Sequence, residues 1–379
     1  MALFPQFGKA PTGERQQRIE QSPNYRDGSF QNLVLTEVSL KDVSVLKVLW
    51  EFVRKPRNTT PSRPIPSVHT DLKALPEDHV SIVWFGHSSY LMKIGKVHIL
   101  VDPVFSGNAA PFRMFAKAFP GTDSYDVDKL PDTIDILLLT HDHYDHLDYK
   151  TILKLKSRVK HFYTSLGVGS HLEAWGIEGD RITELDWWEG IGIGVDGRPV
   201  VAAEANEGGS GIGGVGKVSG GGTGADGEWG RLTATPARHF SGRSTKRNKT
   251  LWSSFVLKTG GHSFFLGGDS GYGEHFKAIG DRFGPFDIAI LECGQYGKYW
   301  PDIHMFPEQV VQAAQELKAK KLLPVHWAKF SLALHPWNEP IKLMTAAAVK
   351  VGQHFTTPLI GQPVLLNHHY PSSDWWDFE

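Results

Sequence analysis

The run Ile134-Asp135-Ile136-Leu137-Leu138-Leu139-Thr140 passes directly into His141-Asp142-His143-Tyr144-Asp145-His146. A continuous apolar run of this kind reads as a strand buried on both faces. The residues that follow must then stand together at the strand's carboxyl end, well placed to face a shared site. His141 and His143 alternate by two, so an extended turn can aim both at one metal ion. Asp145 and His146 can reach a second. Neutral imidazole and carboxylate are the ligands zinc takes where it does catalysis. A polar surface loop is the bland alternative, but an HxHxDH spacing directly after a core strand argues against it.

One loop cannot complete two metal sites. Three more candidate ligands each stand near the end of an apolar strand: His239 after RLTATPAR, Asp269 after SFFLGG and His326 after KLLPV. Singly, each has an ordinary reading as a hydrogen-bonded histidine or a turn-forming aspartate. Joined to the HxHxDH string, they supply what two ions need.

Strands are expected at 80–85, 90–94, 97–102, 134–140, 159–165, 182–189, 231–237, 251–259, 262–269, 286–293 and 321–327. Helices are expected near 148–158, 167–175, 272–283, 307–320 and 340–351, with Pro307 as a suitable first helical residue. Two successive blocks of strands with flanking helices predict an α/β fold of two packed sheets with helices outside. Residues 1–78 read as an N-terminal extension wrapping this body, in which Leu46, Leu49, Trp50 and Val53 recur at helical spacing. Residues 79–379 form the main domain. A tract at about 205–230 interrupts it, and 12 of the 23 residues from Gly208 to Gly230 are glycine. It reads as a flexible insertion. Its GIGGVG matches a dinucleotide fingerprint in letters only, because no strand precedes it and no helix follows.

Composition narrows the function. With 40 Lys plus Arg against 41 Asp plus Glu, nothing suggests a nucleic-acid partner. The one cysteine, Cys293, excludes an intrachain disulfide and reads as a small core residue. No signal peptide and no spanning apolar stretch are evident. A cytoplasmic protein is expected, with any membrane contact peripheral. Pro111–Phe119 mixes aromatics with two cations, as an interfacial segment would, but ordinary burial against the body is the expected outcome. The oligomeric state is not legible.

The segments WFGHSSYLMKI, ILVDPVFSG, LLLTHDHYDHLDY, TPARHFSGR, FFLGGDSGY, HMFPEQVVQAA and LLPVHWAKFSLALH resemble the metallo-β-lactamase superfamily. The resemblance is closest to the N-acyl-phosphatidylethanolamine-hydrolysing phospholipases D and their bacterial relatives. It runs from about 82 to 340, and the glycine tract has no counterpart in it. It implies a four-layer αββα sandwich, with His141, His143 and His239 on one metal, Asp145, His146 and His326 on the other, and Asp269 bridging both. Zinc is the expected ion. The family's chemistry is attack of a metal-activated water on phosphorus, with Asp145 and Asp269 in the catalytic centre. His304 becomes a candidate phosphate contact or proton donor. His87 and Ser88 of the GHSS turn and Asp102 read as supporting residues, and Asp142 as one that orients a ligand or nearby backbone. The expected substrate is N-acyl-phosphatidylethanolamine or a related phospholipid. A metal-dependent lactonase, or a hydrolase of a small phosphorylated metabolite, is the competing reading.

Overall fold

The computed structural model describes residues 4–38, 44, 50–51, 54–56, 58–200, 227–243 and 246–378. Most of the helix expected around Leu46 to Val53, and the glycine tract up to residue 226, lie outside the described residues.

Two seven-stranded sheets carry the fold. The first runs β16–β3–β4–β5–β6–β7–β8. Its members are β3 (Ser81–Trp84), β4 (Tyr90–Ile94), β5 (Val97–Val101), β6 (Ile134–Leu139), β7 (Val159–Ser165), β8 (Ile182–Leu185) and β16 (Pro363–Leu365). The second runs β10–β9–β11–β12–β13–β14–β15. It comprises β9 (Gly190–Ile193), β10 (Pro199–Val200), β11 (Gly230–Thr235), β12 (Ser254–Thr259), β13 (His262–Leu266), β14 (Ile288–Glu292) and β15 (Leu322–Val325). A short hairpin of β1 (Tyr25–Arg26) and β2 (Ser29–Phe30) precedes both. The inner faces share one continuous core that includes Leu137, Leu139, Phe255, Phe264 and Ile290. Flanked by helices, this is the expected αββα sandwich.

β6 is buried at every position and lies between parallel neighbours β5 and β7, as its unbroken apolar run requires. The helices are α1 (Gly13–Gln21), α2 (Tyr149–Leu155), α3 (Gly169–Ala174), α4 (His275–Phe283), α5 (Pro307–Glu316) and α6 (Glu339–Val351). Pro307 opens α5, where its missing N–H has no helical partner to lose. The Gln309 side chain accepts the Phe306 N–H at 2.9 Å, and Val310, Val311, Ala313 and Ala314 are buried.

The expected strand 182–189 stops at Leu185, because Asp186 to Glu189 turn the chain from the first sheet into β9 of the second. The strand expected from Leu251 begins at Ser254; the Leu251 and Ser253 N–H groups instead bond the carbonyls of Leu166 and Thr140, the residues that follow β7 and β6 of the other sheet. At the N-terminus, Ile19 of α1 and Phe30 pack on Leu166, Trp187, Leu251 and Trp252. At the C-terminus, Trp375 stacks on Trp327 at 5.0 Å, and Trp327 stacks on Trp84 at 5.4 Å. Burial was expected for Pro111–Phe119 and holds only at its end. Phe119 is 4% exposed, whereas Phe112, Met114 and Phe115 are 42, 73 and 57% exposed. The segment is a series of turns, and Phe112 meets only the edges of Phe4 and Phe7, so these side chains stay largely open.

Candidate metal centre

Every candidate ligand follows the carboxyl end of a strand. His87 follows β3, Asp102 follows β5 and the 141–146 loop follows β6. His239 follows β11, Asp269 follows β13 and His326 follows β15. Within each sheet these strands share one direction, so their carboxyl ends meet along one edge, where open α/β sheets bind their ligands. The two edges are tied by reciprocal backbone bonds: His326 donates to the His87 carbonyl, and His87 donates to the Trp327 carbonyl, both at 2.9 Å. His87, Asp102 and His326 have φ of 52°, 41° and 67°, left-handed values that cost a non-glycine residue of order 1 kcal/mol or more. The surrounding hydrogen bonds hold them there.

The first donor set is His141, His143, His239 and Asp269. His143 Nδ1 is 2.9 Å from His141 Nε2 and 3.1 Å from His239 Nε2. One ring nitrogen cannot form a proper hydrogen bond with two others at once. Asp269 Oδ2 lies 3.8 Å from His141 Nε2 and 3.7 Å from His239 Nε2. Donors ~2.0–2.1 Å from a tetrahedral centre stand about 3.4 Å apart, within this spread.

The second set is His87, Asp145, His146 and His326. The other oxygen of Asp269, Oδ1, faces it, 3.1 Å from both His146 Nε2 and His326 Nδ1. Asp145 Oδ2 lies 3.6 Å from His146 Nε2 and 2.9 Å from His87 Nε2. His146 Nε2, His326 Nε2 and Asp269 Oδ1 are buried and make no hydrogen bond. Orphaned polar atoms of this kind are costly in a dry interior unless an ion sits among them. The two sets fit a dinuclear site, with one carboxylate oxygen of Asp269 turned to each.

Supporting bonds fix which nitrogen each imidazole presents. Asp102 Oδ2 takes the His146 Nδ1 proton at 2.7 Å and the Thr140 hydroxyl at 2.6 Å. With its proton so committed, Thr140 Oγ1 accepts from His141 Nδ1 at 3.0 Å. His239 Nδ1 donates to the Ile303 carbonyl at 2.9 Å. All three rings therefore turn Nε2 inward. Asp142 points the other way. It accepts from Gly242 N at 2.7 Å and Thr250 Oγ1 at 2.9 Å, pinning the ligand loop to the 242–250 segment.

Burial, helped by neighbouring imidazoles, holds His141 and His326 well below the usual histidine range and so neutral. Burial alone would also lower His146, but Asp269, Asp145 and Asp102 outweigh it and hold that ring above the usual range. Burial would raise Asp269; His146 and the other imidazoles bring it to about 2 instead.

Two supporting residues, Asn32 and Glu292, escaped the sequence reading; Ser88, beside His87 in the GHSS turn, had read as a supporting residue. Asn32 of the N-terminal extension clamps the His239 backbone, accepting its N–H at 3.0 Å and donating to its carbonyl at 2.7 Å. Ser88 Oγ is 2.9 Å from His326 Nδ1. Glu292, 1% exposed at the end of β14, accepts the Met305 N–H at 2.6 Å and faces His304 Nδ1 at 3.3 Å. Burial pushes the Glu292 carboxyl up to about 7, against the pull of His304. His304 itself bridges the two sets, its ring 5.2 Å from that of His326 and 5.1 Å from that of His239.

A cavity of about 490 Å³ is lined by Trp50, Tyr296, Tyr299, Trp300 and Phe306 among others; Phe306 follows His304 by two residues, and none of the candidate donors lines the cavity.

Residues 98–327 match the model of a β-lactamase superfamily domain. An uncharacterised protein of Mycobacterium tuberculosis is 36% identical over 362 residues, spanning 94% of this chain and 88% of its own. N-acyl-phosphatidylethanolamine-hydrolyzing phospholipase D 1 of Caenorhabditis elegans is 26% identical over 306 residues, 76% of each chain. Among solved structures, Igni18, a metallo hydrolase of Ignicoccus hospitalis, superposes with a TM-score of 0.51 at 17% identity, covering 76% of this chain and 99% of that one. This last similarity concerns the fold alone.

Proposed function

The chain belongs to the metallo-β-lactamase superfamily of metal-dependent hydrolases, and from that premise we propose that it is a phosphodiesterase of the phospholipase D type, acting on N-acyl-phosphatidylethanolamine or a related phospholipid. The observation that carries this reading is the pair of donor sets sharing Asp269, and the chain also holds an aromatic-lined cavity reached at Phe306, two residues on from His304. A phosphodiester offers anionic oxygens to two cations, and such a cavity suits an apolar group. The similarity to the C. elegans phospholipase supports the same substrate class.

His141, His143 and His239 would hold one ion, Asp145, His146 and His326 the other, with Asp269 between them. Zinc suits this set of nitrogens and carboxylates. Two such ions, when bound, supply charge neutralisation and an activated water. The chain's own residues do the rest. Asp269 fixes the spacing of the two sets. Asp102, Thr140 and the Ile303 carbonyl keep the imidazole lone pairs pointed inward. His87 holds the carboxylate of Asp145 in place. His304, between the sets, is placed to deliver a proton to the departing oxygen.

A phospholipid substrate also calls for contact with a bilayer surface. Phe4, Phe112, Met114 and Phe115 are exposed, with Arg113 and Lys117 among them. Phe112 packs on Phe7, which packs on Tyr144 of the ligand loop. Apolar side chains mixed with cations suit an anionic interface. No helix among the described residues is long and apolar enough to cross a membrane.

The test is a substrate screen on purified protein supplied separately with zinc, manganese and iron. N-acyl-phosphatidylethanolamine in detergent is compared with a panel of lactones. Release of phosphatidate is the expected result, and turnover of lactones alone would reject the proposal.

A further inference from the structure

Glu292 has no part in either donor set, yet it is an acidic side chain sunk at the end of β14, the strand next to the edge of the second sheet. β14 pairs with β15, and Glu292 lies opposite Val325, the residue before His326. Its carboxylate is used at both oxygens. Oε1 receives the Met305 backbone N–H at 2.6 Å, and Oε2 lies 3.3 Å from His304 Nδ1. The first bond ties the carboxylate to the loop that carries His304; the second engages one nitrogen of that ring. His304 then has only Nε2 left to act elsewhere, and its ring lies against those of His239 and His326.

We propose that Glu292 is a positioning residue for His304, holding its Nδ1–H so that Nε2 alone can pass a proton to the oxygen leaving phosphorus. This rests on the phosphodiester reading above. In the step, the oxygen of water bonds to phosphorus as the phosphorus–oxygen bond to the leaving group breaks. The bonding pair stays with the departing oxygen. His304 Nε2, unprotonated while Nδ1 carries the hydrogen, takes the proton lost by the water and delivers it to that oxygen, so the imidazole ends as it began. A carboxylate that fixes the opposite nitrogen is what such a relay needs, because a ring free to turn or to change tautomer would present the wrong atom.

The substitution Glu292→Gln is nearly isosteric and separates this role from a structural one. The glutamine carbonyl can keep the Met305 N–H, but its amide then donates toward His304 Nδ1 and drives the proton to Nε2. Two readouts follow. In the metal-free protein, nitrogen-15 NMR of the histidines should show the His304 proton on Nδ1 in the parent and on Nε2 in the variant. With zinc bound, the variant and His304→Ala are assayed on two diesters that share a phosphatidyl group. One releases p-nitrophenolate, which departs without a proton; the other releases an N-acylethanolamine, which needs one. Turnover of the second should fall about 10²–10³-fold in both variants, and of the first less than about 3-fold, with two zinc ions retained. The double variant should be no worse than His304→Ala alone. Equal losses on both diesters, or an Nδ1 proton that stays after Glu292→Gln, would overturn the assignment. A parent protein that cleaves neither diester overturns the phosphodiester reading itself, and the step falls with it.

Discussion

Asp102 offers a direct test of how the donor sets are tuned. Its carboxylate accepts three bonds: Thr140 N at 2.9 Å on Oδ1, and Thr140 Oγ1 and His146 Nδ1 on Oδ2. In Asp102→Asn the amide carbonyl can keep the Thr140 backbone bond, which puts the amide nitrogen where Oδ2 was. That nitrogen meets two hydrogens, one on Thr140 Oγ1 and one on His146 Nδ1. The least disruptive escape is for His146 to change tautomer and accept at Nδ1, which places a hydrogen on Nε2, the atom 3.1 Å from Asp269 Oδ1. A protonated Nε2 cannot ligate. Losing a carboxylate that orients a metal-binding histidine lowers affinity roughly 10–100-fold, equivalent to about 1.4–2.7 kcal/mol. The loss should fall mainly on the ion held by Asp145, His146 and His326. The other set feels Asp102 only through Thr140 and His141. Chelator competition monitored by metal release should therefore show one site weakened by that factor and the other shifted less than about 3-fold. Two unaltered affinities in a folded Asp102→Asn protein would refute the idea that this carboxylate sets the His146 tautomer.

Other outcomes follow from the same structure. Asn32→Ala strips both backbone bonds from the buried His239 and should cost about 2–4 kcal/mol in urea unfolding while weakening zinc at the His141–His143–His239 set; full zinc affinity would show that the N-terminal extension does not shape the site. His275 is pushed down to about 3 by burial, with Arg238 adding to it. The unfolded chain therefore takes up that proton first, and stability present above pH 6.5 is lost as pH falls, by about 2 kcal/mol between pH 6.5 and 5. The metal-free His275→Gln protein should lose that much less than the parent across the interval, and parallel losses would rule the linkage out. Trp327→Ala empties the place between Trp84 and Trp375 and should cost about 3–5 kcal/mol; a change under 1 kcal/mol would mean the C-terminal tail is not anchored there. Asp269→Asn, by removing the charge shared between the sets, should leave at most one tightly held zinc by elemental analysis, and two retained ions would contradict the bridging geometry.

How far the sequence revealed this centre depends on what each position demands. Ligands must be particular residue types, and each here ends an apolar strand, so His141, His143, Asp145, His146, His239, Asp269 and His326 could be picked out and the structure gathers them at one edge. Supporting atoms are chemically ordinary. The Ile303 carbonyl that orients His239 could belong to any residue, and Asn32 acts across 207 positions of chain, beyond any local pattern. Glu292 was hidden for another reason: it lies within the strand expected at 286–293, where no local pattern marks an acidic side chain that will meet Met305 and His304. The same logic covers the elements that were missed. β9 is Gly-Ile-Gly-Ile, which reads as turn, and is a strand because β11 pairs along it. β16 has three residues, too few for periodicity, and exists because β3 offers it an edge. His87 joins the two kinds. It read as a supporting residue in a turn; its backbone bonds close the joint between the sheets, and its ring bonds the Asp145 carboxylate of the second donor set at 2.9 Å. The bonds that join the sheets thus pass through residues of the site, so substitutions at His87 should disturb metal binding and folding together, whereas Asp142, turned away from the donor sets, should affect the loop alone.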